Sequence, residues 1–126
     1  MAEKMAYRKY KNKRVECDGR VFDSLKEYRR YCQLKMLLKC GAISDLKLQV
    51  PFELIPAVYE DVAKQLKTKV KIEKKCVQRP IRYVADFVYV RDGIMIVEDT
   101  KGFRTKEYEL KKKMMRALLG ITIREI

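Results

Sequence analysis

IRYVADFVYVRDGIMIVEDTKG, residues Ile81 to Gly102, reads as two strands joined by a tight turn. Tyr, Val, Ile and Phe fill both runs, and Asp92-Gly93 between them supplies the positive φ angles of a two-residue hairpin turn. A turn there sets the register: Arg91 faces Ile94, Val90 faces Met95, and counting on brings Phe87 opposite Glu98 and Asp86 opposite Asp99. Strict alternation then predicts Asp86, Asp99 and Lys101 on one face of the sheet, with Glu98 turned to the other. Directly opposed residues have Cβ atoms roughly 5 Å apart, where two like charges destabilise a sheet. A cation between the acids removes that repulsion, and a divalent metal held by oxygen ligands beside a lysine suits these residue types.

Outward from the hairpin, Asp45 to Leu54 alternates and predicts the first core strand, with Leu46, Leu48, Val50 and Phe52 on one face. Gln49 falls on the opposite face as an ordinary polar strand residue, and Pro51 marks an edge, a bulge or the strand's end. Before it, the period is helical from Ser24 until Gly41, which suits the residue just past a helix end, with Asp23 or Ser24 as the N-cap. One apolar stripe holds Leu25, Tyr28, Cys32 and Met36; a second holds Glu27, Tyr31, Leu34 and Leu38, which turns Glu27 inward. Spacing leaves two roles for Glu27, because Ser24-Leu25-Lys26-Glu27 is also a capping box. Val15 to Phe22 carries a second Asp-Gly turn, at Asp18-Gly19, and predicts a small two-stranded ribbon.

Within 55–80, Val58–Leu66 has the look of a short helix and Thr68–Val77 of a basic ribbon. Beyond Gly102, Thr105 caps a helix that runs to Leu119, with Leu110, Met114, Ala117 and Leu118 as its apolar side, and Ile121–Ile126 alternates as a last strand. The expected architecture is a single α/β domain over 15–126, a mixed central sheet flanked by helices in helix-strand-hairpin-helix-strand order, preceded by a basic arm over 1–14.

The chain of 126 residues carries a formal charge of +13, which calls for an anionic partner, nucleic acid ahead of a membrane surface. The charge is clustered: residues 1–14 hold six Lys or Arg against one Glu, 64–82 hold eight against one, and 101–116 hold seven against two. Candidates for DNA contact are Arg8, Lys9, Lys11, Lys13 and Arg14 in the arm, Arg30 on the first helix, and Arg104, Lys106 and Lys111 on the second. Four cysteines without a CxxC pair, and no His at all, remove zinc-finger spacings, Ser-His and Cys-His nucleophiles and HNH-type nucleases. The thiols are expected free and reduced. No apolar run approaches membrane-spanning length and no signal-peptide core is present, so a soluble cytoplasmic protein is expected.

Asp86, followed by Asp99-Thr100-Lys101, resembles the PD-(D/E)xK nuclease signature. Ala85 stands where the family name has Pro, and the second acid is Asp rather than the commoner Glu. The element order over 24–126 is also similar to the restriction-endonuclease-like core of that superfamily. FDSLKE (Phe22–Glu27), YVADF (Tyr83–Phe87) and VEDTKG (Val97–Gly102), with a Lys-rich helix after them, resemble a group of small phage-encoded endonucleases related to Holliday-junction resolvases.

The resemblance implies a Mg2+-dependent endodeoxyribonuclease, with Mn2+ able to substitute, working in a bacterial host cell. It implies that Glu27, Asp86 and Asp99 hold one or two metal ions and that Lys101 completes the catalytic set, orienting the attacking water or neutralising the pentavalent intermediate. Branched DNA and a second copy of the chain are the implied partners, with no membrane and no small-molecule cofactor. Two other readings share these residues: a repair or recombination nuclease on duplex or DNA ends, and a basic DNA-binding module whose acids are structural.

Overall fold

Val15–Cys17 (β1) and Arg20–Phe22 (β2) pair around Asp18-Gly19, where both φ angles are positive, as the sequence predicts. The structure is a computed structural model and describes residues 14–100 and 104–126. Helix α1 (Leu25–Lys39) begins at Ser24, whose side chain accepts from the Glu27 amide at 3.1 Å. Its inward stripe is Glu27, Tyr31 and Leu34, while Leu25 and Met36 of the other stripe lie exposed. The ring of Phe22 decides this rotation: it is buried and packs on Tyr31 at 4.9 Å between centroids.

Strands β3 (Ser44–Ile55), β4 (Val58–Gln65), β5 (Val70–Gln78), β6 (Ile81–Arg91) and β7 (Ile94–Asp99) follow, then helix α2 (Lys106–Leu119) and β8 (Arg124–Glu125). The main sheet has the order β3-β6-β7-β8, antiparallel except for β8, which lies parallel to β7 after the α2 crossover. Pro51 therefore sits on an edge strand, where its missing N–H is tolerated. The molecule is a single mixed α/β domain, as expected, and all four cysteines are free.

Three expectations are corrected. Val58–Leu66 is not a helix: its β-branched residues pair with β5 in a separate two-stranded ribbon. The last strand is two residues long, because the Ile121 amide closes the α2 terminus on Met115 O at 3.1 Å and Ile123 drops into the core. On α2 the buried residues are Tyr108 and Met115, while Leu110, Ala117 and Leu118 face outward. Tyr108 sets that rotation by packing near Tyr83 and donating to Glu125 at 2.8 Å.

The apolar residues sort into two clusters, one with α2 and one with α1. Tyr83, Ala85, Val88 and Val97 join Tyr108 and Met115; Phe87, Tyr89 and Ile96 join Tyr31 and Leu34. Neighbours such as Phe87 and Val88 go to different clusters, so the clusters cover opposite faces of the sheet. Alternation breaks at one level. In β3, Leu46 and Leu48 belong to the α1 side but Val50, Phe52 and Leu54 to the α2 side; in β6, Ala85 and Phe87 are likewise split. The break lies at Gln49, whose φ of +52° turns the backbone left-handed in mid-strand, directly across from Asp86. The expectation of one continuous face through Leu46, Leu48, Val50 and Phe52 is thereby overturned.

Candidate functional site

The hairpin register places Phe87 opposite Glu98 as the last paired position, so Asp86 and Asp99 stand one step beyond, where the ladder opens. Below that point β6 stays with β3, and β7 turns to β8: Asp99 pairs Glu125, and the Ile126 amide donates to Asp99 O at 3.0 Å. Simple alternation does not reach Asp86, because the strand changes face there. Its carboxylate is placed by three donors instead. Thr100 gives Oδ2 its amide at 3.0 Å and its hydroxyl at 2.7 Å, and Gln49 Nε2 donates to Oδ1 at 3.2 Å.

The same Gln49 nitrogen donates to Glu27 Oε1 at 3.3 Å, so one amide ties the first turn of α1 to β6. Glu27 is buried, and it is the inward-facing role that the structure favours over the second half of the capping box. Burial, then the negative charge of Asp86, Asp23 and Asp99, pushes its carboxyl up to about 7, against a hydrogen bond from the Asp23 backbone that acts the other way. Asp99 is almost wholly buried and accepts from the Tyr83 hydroxyl. That phenol is itself held protonated by burial and by the Asp99 carboxylate.

Three carboxylates therefore share one electrostatic neighbourhood. They do not form a finished cage: among the described residues no group of three His, Cys, Asp or Glu side chains is gathered closely enough to hold a metal ion. The Gln49 amide stands between two of them. Lys101, with Gly102, lies outside the described residues, as do Arg8, Lys9, Lys11 and Lys13. Sequence reasoning set Gln49 aside and overlooked Thr100 and Tyr83. Thr100 had a readable signal in its position inside Asp99-Thr100-Lys101; Gln49 becomes visible only once β3 is known to pair with β6 in this register.

Glu98 faces the opposite side of β7 from Asp99, as the register predicts, and is fully buried. Arg30 meets it with two bonds, Nε to Oε1 at 2.8 Å and Nη2 to Oε2 at 2.6 Å, and the Tyr89 hydroxyl donates to Oε2. Arg30 also donates to Gln33 at 2.9 Å. This turns Arg30 from the expected phosphate contact to a structural one: its fork is matched to a buried carboxylate whose other cation, Arg124, stands farther off at 3.9 Å. Of the other basic candidates, Arg14 and Lys106 are exposed. Arg104 pairs with Glu125 at 2.8 Å, and Lys111 with Glu107 at 3.0 Å. Lys111 and Arg82 help line a cavity of about 250 Å³ whose wall includes Tyr83, the residue that bonds Asp99.

Among the described residues no helix is long and apolar enough to cross a membrane. No curated protein and no solved structure matches the chain. A family model matches residues 7–120, which takes in both helices and all of the strands but the last. The chain belongs to that family, whose description is "Protein of unknown function (DUF1064)".

Proposed function

We propose that this protein is a metal-dependent DNA endonuclease of the PD-(D/E)xK type that acts on branched DNA as a homodimer. The observation that carries the reading is the carboxylate group at the opened end of the hairpin: Asp86 and Asp99 beside a buried Glu27, with Gln49 bridging Glu27 to Asp86. Binding phosphates needs cations at the surface. It has no use for a buried carboxylate pushed up to about 7 with three further acids among the causes. The donor set suits a hard divalent cation: carboxylate oxygens from Glu27, Asp86 and Asp99, and the amide oxygen that Gln49 presents when its side chain turns over. Such an ion supplies Lewis acidity and a water of lowered pKa at the scissile phosphate.

The chain's own residues do the positioning. Thr100 fixes one oxygen of Asp86 and leaves the other to Gln49. Tyr83 orients Asp99 from below, and the α1 cap holds Glu27 at the first turn. Lys101, next after Thr100, is assigned to the attacking water by the likeness of the motif. The deciding experiment is cleavage of matched four-way junction, flap and linear duplex with Mg2+ and with EDTA. Mg2+-dependent cutting with the junction preferred is expected. Equal cutting of duplex and ends favours the repair-nuclease reading, and binding without cutting in Mg2+ or Mn2+ favours the DNA-binding module.

A further inference from the structure

The β4–β5 ribbon stands apart from the main sheet, and every residue in its two strands is exposed. A two-stranded ribbon with no other layer packed on it among the described residues is marginal by itself, so its sequence is free to serve something outside the fold. Its register sorts the charges. Near the base acids face lysines, Glu60 opposite Lys75 and Asp61 opposite Lys74. Toward the tip the acids stop: Lys64 stands opposite Lys71, and Lys67 and Lys69 occupy the turn that Leu66 N closes on Lys69 O at 2.8 Å. Residues 64–71 hold four lysines and no acid. Lys71 does reach Glu73 at 3.6 Å, but both side chains are well exposed and such a pair has little weight. Like charges directly opposed across a ladder destabilise it, which an anion from outside would reverse.

We propose that this ribbon is an arm that grips duplex DNA, with Lys64, Lys67, Lys69 and Lys71 on the phosphates and the ribbon lying in the major groove. That groove is about 12 Å wide and admits a two-stranded ribbon. A second copy of this chain is the rival occupant, since both outer edges of the ribbon are open. Charge argues against pairing β5 with its own copy, which would bring Lys71, Lys74 and Lys75 of two chains together, and lysines on an open edge are a usual device against such pairing; the β4 edge, with Glu60 and Asp61, is left to the sedimentation test. The choice of DNA among polyanions rests on the nuclease reading above; the ribbon's geometry and charge do not.

The test is binding of a short labelled duplex by anisotropy in EDTA, over a range of salt, for the parent, for a variant with all four of these lysines changed to Ala, and for one with all four changed to Arg. The Ala variant is expected to melt with the parent, to bind about tenfold more weakly or worse, and to lose about 3 to 4 from the slope of log affinity against log salt; the Arg variant is expected to restore both. An unchanged affinity and slope in the Ala variant overturns the arm. So does a change in sedimentation from dimer to monomer at unchanged duplex affinity, which would give the ribbon to a second copy. Because no metal is present, loss of binding supports the arm even if the parent cuts nothing. Conversely, cutting by the parent with undiminished binding by the Ala variant removes the arm and leaves the nuclease reading standing.

Discussion

Gln49 Nε2 donates to Asp86 Oδ1 at 3.2 Å from a backbone held at φ +52°, at the level where β3 and β6 both exchange faces. A non-glycine residue in this region costs about 1 to 2 kcal/mol, a strain that tends to persist at functional sites. Gln49→Gly is therefore expected to be more stable than Gln49→Ala by about 1 kcal/mol, the reverse of the usual strand order. Both should lose cleavage, since both lack the amide. Urea titration of the two variants checks the order; Ala at or above Gly would mean that residue 49 is not held at positive φ.

Asp86→Asn and Asp99→Asn are expected to lower cleavage by about 10²- to 10⁴-fold while duplex binding persists, the scale on which single groups of a catalytic set count. Glu98→Gln separates the two faces of β7. It should retain turnover at low temperature and lose about 1.5 to 3 kcal/mol of stability, because Arg30 and Tyr89 lose a charged acceptor. A dead Glu98→Gln beside an active Asp99→Asn would move the site from Asp99 to Glu98.

The pH dependence follows from Glu27. Its carboxyl is raised in the fold from an ordinary 4.5 to about 7, by burial first and by Asp86, Asp23 and Asp99 after it. Between those values the folded chain binds more protons than the unfolded one, so this group's contribution is complete below pH 4.5 and is lost as pH rises through about 7. Glu27→Gln should flatten the fall in stability from pH 5 to pH 8 in metal-free buffer. Mg2+ should raise the parent's melting temperature more at pH 8 than at pH 5. Equal shifts at the two pH values would count against Glu27 as a ligand.

The exposed side of α2 bears on the proposed homodimer. Leu110 is 58% and Leu118 54% exposed, and Ala117 lies on the same stripe. Leu110→Glu with Leu118→Glu is expected to shift sedimentation toward monomer and to convert paired junction cuts into single nicks. A parent that is already monomeric on and off the junction, yet makes paired cuts, would remove the dimer mechanism.

The sequence by itself determined what local chemistry can determine. Asp92-Gly93 and Asp18-Gly19 set two hairpins and their registers, because a two-residue turn with positive φ leaves no freedom in counting outward. Ser24 and Thr105 set two helix starts through bonds to the amides three residues on. The pairing of Phe87 with Glu98, and so the turning of Glu98 and Asp99 to opposite faces of β7, followed from that register; the placing of Asp86, beyond the last pair, did not. Only the tertiary structure decided the rest. Nothing in Leu48-Gln49-Val50 announces a left-handed backbone, since glutamine has no local preference for it, and so the change of face and the Gln49 bridge stayed hidden. The stripe of α1 that turns inward packs on Phe22, just before the helix, and that of α2 packs near Tyr83, more than 20 residues before it; neither contact is recorded in the helix's own spacing. Arg30 read as a free cation because its partner, Glu98, lies 68 residues away, and a charge's partner is chosen by packing, which no spacing along one helix records.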